Sequence, residues 1–422
     1  MKFAAVFPRA LCAHLLRHLS LVCFALGGVA AAGAVEPVVR AGDDLAQLEY
    51  EARAHPTEVA RKLELLLAQA TEPSPRRLEI LRLLTGLRIN LAQPDAVGPL
   101  LQQVRELTRQ GPAQLRRDAE VASNCLQGSL VRLQGTLSRA DEPLEEAMRL
   151  LDANTSVSIH MSCLVIHASV EENLGHFDAA ARLTQQALRL VERGQPWRRS
   201  ELLSGLAYTY LRAGQRERAH HLNDEAKALA QATEDWVSLS EAATVESILL
   251  SDEGQEAQAL KALSQSIQYA RQAGDQFSVA MGLANLSDHY LRQGDYRQAY
   301  TQAQQALPLA RQLRSSEIEQ LAYFNTGLAL IAMRRKDEGM SLVREVLDQQ
   351  RRADEVVPQA EELADLAHYL EKAGYFSEAL QVYREHRAMS EQAFQRSQQK
   401  ALVELQESFD AERRKHERSL RP

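Results

Sequence analysis

The chain has 422 residues, of which 45% are hydrophobic and only 5% aromatic, with 20 Gly and 13 Pro. A length beyond one compact domain, with so few aromatic residues, favours a helical repeat array over a β-sandwich or barrel. Lys and Arg total 49 against 56 Asp and Glu, which gives a formal net charge of −7. Because this balance provides no general attraction to a phosphate backbone, we expect no nucleic-acid partner.

The first 34 residues form a compositional class of their own. They contain basic residues such as Lys2 and Arg9 but no acid, then an apolar run over 19–32, and they end in Ala32-Gly33-Ala34. A basic start, a short apolar run and an Ala-x-Ala exit predict a signal peptide over 1–34 and a periplasmic mature protein. The alternative is an uncleaved N-terminal anchor, for which the apolar run is short.

Two cysteines, Cys125 and Cys163, remain after the predicted cleavage. In an oxidising compartment such an even pair can form a disulfide. Both residues fall on predicted helices without CxxC spacing, so two buried small hydrophobic side chains are the alternative. No later stretch reaches the ~20 apolar residues that a membrane span requires.

A repeat of about 40 residues is the main pattern of the sequence. Glycines return at steps of 39 or 40 residues and then 80, and Arg334 fills the missing slot. The glycines are Gly135, Gly175, Gly214, Gly254, Gly294 and Gly374. Small residues follow the glycines at steps of five and twelve, as in Ala219 and Ala226, and would let a neighbouring helix approach closely. Gly374 fits more loosely, since Ala379 and His386 follow it. The glycine itself predicts the turn between two helices.

A small residue also recurs seven positions before each turn, as Ala207 does before Gly214, and Tyr210 and Tyr290 follow it by three residues. These positions resemble the tetratricopeptide repeat, and the period of 40 implies helices longer than those of the 34-residue unit. The resemblance implies an all-α, right-handed α-solenoid of stacked helix pairs with a long C-terminal helix. We place N-terminal helical pairs at 43–118, the repeats at 119–390 and the C-terminal linker helix at 391–422.

Three segments, 285–311, 325–339 and 394–420, resemble the periplasmic sensor region of bacterial tetratricopeptide-containing diguanylate cyclases (GGDEF proteins). The resemblance implies the sensory part of a signalling protein. The sequence contains no Gly-Gly-(Asp or Glu)-Glu-Phe motif, no Walker loop and no HExxH motif. We therefore expect a protein that is not an enzyme and needs no cofactor or metal. A truncated cyclase that lacks its catalytic domain and a free-standing periplasmic assembly scaffold are the alternatives.

The last stretch, 391–420, has no Gly or Pro and predicts one long helix. Leu402, Leu405 and Phe409 give it an apolar stripe of little more than one heptad. The stripe suggests a coupling or dimerising helix, which would form a homodimer. The alternative is a solvated terminal helix, since an isolated polar helix is marginal in water.

The inner face of such a repeat array, made by the first helix of each pair, is the customary site for a peptide or protein. The repeat register places on this face the residue that follows the small position and the residue four further on. The predicted partner-binding residues are Tyr208, Arg212, Asp288, Arg292 and His368. An aromatic ring beside alternating charges suits a peptide with a charged group. The alternative is a solvated face with pairs such as Asp288 and Arg292.

Overall fold

The computed structural model describes residues 44–392 except 92, 134–139, 192–194, 314 and 353–355, together with Gln395 and Arg413. The predicted signal peptide, most of the predicted linker helix and the turn at Gly135 lie outside the described residues. All regular secondary structure within the described part of the chain is helical. This agrees with the predicted all-α fold.

Eighteen helices are present in the described residues, and they alternate as first and second members of antiparallel pairs. In chain order they are α1 (Leu45–Glu51), α2 (Pro56–Gln69), α3 (Pro75–Asn90), α4 (Pro94–Leu107), α5 (Ala113–Leu133), α6 (Asp141–Leu150), α7 (Val157–Asn173), α8 (Phe177–Leu190), α9 (Pro196–Arg212), α10 (Arg216–Ala232), α11 (Trp236–Asp252), α12 (Glu256–Ala273), α13 (Gln276–Gln293), α14 (Tyr296–Leu313), α15 (Ser316–Ala332), α16 (Lys336–Arg352), α17 (Val356–Lys372) and α18 (376–392).

Proline and short polar side chains explain where several helices begin. Pro56, Pro75 and Pro196 each occupy the first turn, where a missing N–H costs nothing and the fixed φ suits the helix. Ser74 caps α3, because its side chain accepts a hydrogen bond from the backbone N–H of Arg77. Asp235 caps α11 in the same way through the N–H of Ser238.

The turns inside six pairs, from α7/α8 to α17/α18, have the left-handed conformation that the sequence predicts. Gly214 has φ 74°, and the N–H of Gln215 closes the turn on the carbonyl of Tyr210 at 2.8 Å. Arg334 adopts the same conformation without being glycine, with φ 68°, and the N–H of Arg335 again closes the turn. The repeat geometry therefore overrides the steric cost of a side chain at this position.

Small residues let the two helices of a pair approach closely. A Cβ atom added at Gly327 on α15 would lie 2.6 Å from Cγ2 of Val343 on α16. A Cβ at Gly339 would lie 2.4 Å from the carbonyl oxygen of Gly327. Both distances are far below van der Waals contact, so the helix pair requires glycine at both positions.

The chain divides into two compact units, which we call the N-terminal unit (14–282 with 309–315) and the C-terminal unit (283–308 with 316–422). Each has its own apolar core. The first includes Leu63, Leu81, Leu84, Leu164, Leu249 and Leu263. The second includes Phe324, Leu328, Ile331, Val343, Leu366 and Leu370.

Cys125 on α5 and Cys163 on α7 are joined by a disulfide, with their Cα atoms 5.3 Å apart. The bond links the first helices of two successive pairs within the N-terminal unit. Both side chains are also buried in its core, so the two interpretations of these cysteines describe one site. Over the part of the chain that the structure describes, no helix is long and apolar enough to cross a membrane.

Candidate partner-binding site

Tyr208 does not present its ring to a partner. It follows the small residue Ala207 on α9 and is only 1% exposed. It packs in a core cluster with Ala219, Val245, Ile248 and Leu249. The prediction that Tyr208 forms part of an open surface is therefore wrong, because its position faces the next first helix, α11, rather than solvent.

Arg212 lies one turn further along α9 and is half-buried. Its guanidinium sits 5.1 Å from the ring centre of Phe177 and 5.9 Å from that of Tyr208. Burial raises the pKa of the nearby Glu172 carboxyl to about 7, although the charge of Arg212 acts to lower it. Arg212 is thus engaged with groups of its own unit.

A segment from the start of the chain covers part of the first-helix face of the N-terminal unit. This N-terminal segment, residues 44–55, comprises α1 and the residues up to His55. Its Arg53 is 2% exposed and donates to Asp235 and Ser238 at the start of α11, 182 and 185 residues away in sequence. The two donor–acceptor distances are 2.9 and 2.8 Å. A third hydrogen bond, of 3.3 Å, reaches Glu241.

Aromatic rings complete the surroundings of this guanidinium. The Cζ of Arg53 lies 5.2 Å from the ring centre of Trp197 on α9 and 5.8 Å from that of Tyr50. The two rings meet edge to face with their centres 5.6 Å apart. We call the residues of α9 and α11 that surround Arg53 the arginine cage: Trp197, Glu201, Asp235, Ser238 and Glu241.

The carboxyls of the cage do not share one charge state. Burial raises the pKa of Glu241 to about 8 and that of Glu201 to about 7, although Arg53 acts to lower both. Asp235 is also buried, but Arg53 and the hydrogen bonds from Ser238 hold its pKa below the usual range. The charge that balances Arg53 at neutral pH is therefore mainly that of Asp235.

A second ion cluster holds the other end of the segment. Glu49 is 6% exposed and accepts from Arg82 on α3 at 3.2 Å and from Arg198 on α9. Arg82 also pairs with Glu79, whose Oε2 accepts from Ser158 on α7 at 3.0 Å. The N-terminal segment is therefore tied by charge to three first helices that are far apart in sequence.

The remaining space beside the segment is small. A cavity of about 60 Å³ lies between it and the first helices α3, α5 and α7. Its lining includes Leu48 and Glu49 from the segment, and Gly86, Ser129 and Ser169 from those helices. Residues 44–55 therefore line this cavity together with the first helices.

In the C-terminal unit, Arg292 and His368 are exposed at the corresponding positions, whereas Asp288 is half-buried. Asp288 and Arg292 lie one turn apart on α13 and form an ion pair of 3.2 Å, with side chains 15% and 34% exposed. Nη2 of Arg292 also lies 3.1 Å from Nδ1 of His289. The pair that the sequence suggests is therefore present, at the edge of the solvent.

Residues of α17 lie against this pair. Burial raises the pKa of Tyr369, and the negative charges of Asp288 and Asp365 raise it further. Its ring meets Tyr296 edge to face at 6.4 Å and the exposed His368 at 5.3 Å. The ammonium of Lys372 lies 5.7 Å from the ring centre of Tyr296. We call this set the C-terminal patch: Asp288, Arg292, Tyr296, His368, Lys372 and Tyr369. The Tyr369 ring is 6% exposed and packs in the core beneath the other side chains.

The structure therefore separates the five predicted residues into two groups. Asp288, Arg292 and His368 belong to the C-terminal patch, whereas Tyr208 and Arg212 pack inside the N-terminal unit. The arginine cage is not among the sequence predictions, because its contacts cross more than 180 residues. One local signal does exist: Glu241 interrupts the apolar run of α11, which is unusual for a charged residue without a partner.

The described residues contain no group of three or more His, Cys, Asp or Glu side chains placed to hold a metal ion. The arginine cage and the C-terminal patch offer charged groups, hydrogen-bonding groups and aromatic rings.

Several solved structures share this fold. Aspartyl phosphate phosphatase F from Bacillus subtilis matches with a TM-score of 0.57 at 13% identity, covering 86% of this chain and 96% of that one. The apo form of RapI gives 0.55 at 13% identity, covering 84% and 95%. The Rap conjugation gene regulator of the plasmid pLS20, in complex with the Phr* peptide, gives 0.53 at 12% identity, covering 84% and 94%.

Identities this low establish the fold alone. The chain is an all-α, tetratricopeptide-like helical repeat protein. No protein-family model and no curated protein matches the sequence.

Proposed function

We propose that this chain is an exported, non-enzymatic protein that binds a protein or peptide, and that it serves as the recognition part of a signalling system. The observation that carries the proposal is the C-terminal patch. It combines an acid, two cationic side chains, an imidazole and two tyrosine rings from α13, α14 and α17 of the C-terminal unit. A mixed set of this kind suits a peptide with a charged group beside an apolar one.

The fold comparison supports the same class of ligand. One structural neighbour is described in complex with the Phr* peptide. Another neighbour is named a phosphatase, but at 13% identity the likeness extends to the fold alone. We therefore assign binding without catalysis to the patch.

Peptide selection on the full mature chain tests the proposal. Peptides from a random-sequence phage library, selected on the wild-type protein, would be titrated against Arg292→Ala and His368→Ala variants. We expect a loss of about tenfold or more in affinity for Arg292→Ala, since a charge-assisted hydrogen bond contributes about 1.5–3 kcal/mol.

Arg344→Ala is the matched control, because Arg344 is exposed on α16, a second helix of the same unit. It should leave the affinity unchanged. If the selected peptides bind all variants equally, the C-terminal patch is not the binding surface.

Export is a separate part of the proposal. It rests on the composition of residues 1–34, and the disulfide between Cys125 and Cys163 suits an oxidising compartment. Expression of the full gene in a Gram-negative host, followed by osmotic release and mass measurement, should give a periplasmic protein that begins at Val35. A cytoplasmic protein that keeps residues 1–34 would contradict it.

The signalling role rests on the resemblance of three segments to the sensor region of tetratricopeptide-containing diguanylate cyclases. In that arrangement, the helix over 391–422 would pass a signal onward and could pair two copies of the chain. Light scattering of the mature protein should then give the mass of a dimer, and Leu405→Lys should give a monomer. A wild-type protein that stays monomeric at high concentration would contradict a dimerising role for this helix.

A further inference from the structure

The N-terminal segment is bound to its own chain as a separate peptide would be. Its strongest polar contacts reach α9 and α11, at sequence separations of 149 for Glu49 to Arg198 and 182 for Arg53 to Asp235. Each contact joins a side chain of the segment to a first helix of the array. First helices provide the face on which helical repeat proteins customarily hold a peptide.

The arginine cage selects a guanidinium. Nη1 of Arg53 donates to Asp235, and Nη2 donates to both Ser238 and Glu241. The planar guanidinium of an arginine can donate to these acceptors at the same time, whereas the single ammonium of a lysine cannot. Trp197 adds a ring face 5.2 Å from Cζ, which also favours arginine.

Arg53 leaves one of its hydrogen-bond donors without an acceptor in the described part of the chain. Its Nε is buried and donates to no acceptor within the described structure. The helix within the segment, α1, has only seven residues, so it has little stability of its own in water. The attachment therefore depends on a few side chains, and one donor of Arg53 adds nothing to it.

We propose that the arginine cage is a recognition site for an arginine-bearing peptide, and that the N-terminal segment is its internal competitor. In the resting chain Arg53 fills the cage. A partner segment that presents an arginine three residues after an aromatic residue, as Tyr50 precedes Arg53, takes its place. The N-terminal segment then leaves the first-helix face.

The tether makes the internal segment a strong competitor. A segment joined to its site through a short connection acts at an effective concentration of about 1 mM. The wild-type chain should therefore bind a free peptide weakly, and removal of the Arg53 side chain should uncover the site. This site is distinct from the C-terminal patch, so its failure and that of the proposed function are separable.

Two synthetic peptides test the exchange. One has the sequence of residues 44–55, and the other carries glutamine in place of its arginine. Fluorescence anisotropy would measure both against full-length wild type, Arg53→Ala and Arg199→Ala, the last being an exposed arginine of α9 that pairs with Glu225. For the arginine peptide we expect Arg53→Ala to bind about tenfold or more tightly than wild type or Arg199→Ala does. The glutamine peptide should show no such gain.

Equal binding of the two peptides to a folded Arg53→Ala protein would overturn the proposal. If that variant does not fold, hydrogen exchange of wild type decides. About 1 mM arginine peptide should speed exchange of the amides of 45–55, and the glutamine peptide should not. No change in exchange with the arginine peptide would likewise overturn it. Arg344→Ala, at an exposed arginine outside both sites, should give the wild-type result throughout.

Discussion

The same repeat register holds buried side chains in the N-terminal unit and exposed side chains in the C-terminal unit. In the N-terminal unit, the residues at the inner-face register of α9 are packed away: Tyr208 is 1% exposed and Arg212 stacks on Phe177. In the C-terminal unit, Arg292 and His368 reach solvent at that same register. The difference follows from what packs against each position, since α11 contacts Tyr208 and Phe177 contacts Arg212, whereas Arg292 and His368 are exposed. A repeat register thus predicts position, and not accessibility.

The largest effect should come from emptying the arginine cage. Arg53→Ala leaves buried acceptors without their cation, which typically costs about 3–5 kcal/mol in free energy of unfolding. Urea unfolding followed by tryptophan fluorescence measures it well, because Trp197 and Trp236 are the only two tryptophans and both lie in the N-terminal unit.

Arg292→Ala measures the corresponding loss of free energy of unfolding in the C-terminal unit. Its ion pair with Asp288 is partly exposed, so its removal should cost no more than about 1 kcal/mol by circular dichroism. Similar losses for the two variants would mean that the units do not differ in this way.

The second largest effect should come from the disulfide. Cys125 and Cys163 close a loop with a sequence separation of 38, and such a bond contributes about 2–4 kcal/mol. Reduction should therefore lower the urea midpoint of the tryptophan signal. The double variant Cys125→Ala/Cys163→Ala should unfold at that lower midpoint with or without reductant. A midpoint that reduction leaves unchanged would show that the bond adds nothing to this unit.

Acidification should stabilise the N-terminal unit over a defined window. The pKa values of Glu241, Glu201 and Asp275 are raised by burial to about 8, 7 and 6. Between about pH 8 and 4.5 the folded state therefore binds more protons than the unfolded state, so stability increases as pH falls. We expect the tryptophan-detected midpoint of thermal unfolding to be at least about 3 °C higher at pH 5.5 than at pH 8.

Glu241→Gln provides the control for that trend. A glutamine keeps the hydrogen-bonding shape and cannot ionise, so the dependence on pH should become smaller. A midpoint that rises with pH in the wild type would contradict the assignment of these carboxyls as buried and protonated.

The smallest effect should come from the turn of the C-terminal unit. Arg334 holds φ 68° where the other described repeat turns have glycine. Arg334→Gly removes steric strain, loses the contact with Tyr375 at 6.0 Å, and should stabilise the unit by up to about 1 kcal/mol. Gly294→Ala, at φ 83° in the same unit, should destabilise it by about as much. Circular dichroism in urea measures both, and destabilisation by Arg334→Gly would show that the arginine side chain matters more than the strain.

Much of the fold could be predicted from the sequence, because its cause is local. A glycine every 40 residues sets the turns, and small residues such as Gly327 and Gly339 set the close helix contacts. Even the irregular turn at Arg334 could be located from the period alone.

The candidate site was predictable only in part. Asp288 and Arg292 pair within one helix, so the spacing of the two residues was sufficient. Tyr208 was misplaced because its burial depends on α11, whose distance from α9 the register does not specify. The arginine cage was missed because no local pattern connects Arg53 to Asp235.

By itself, the sequence determined the helical class, the period, the turns and the positions that face the first-helix surface. These depend on backbone sterics and on the spacing of small residues, which act over a few turns of helix. Only the tertiary structure decided which part of that surface is covered and which cations meet which acids. Contacts of this kind join residues that are distant in the chain, and their free energy depends on burial and on partners that appear only when the repeats are stacked.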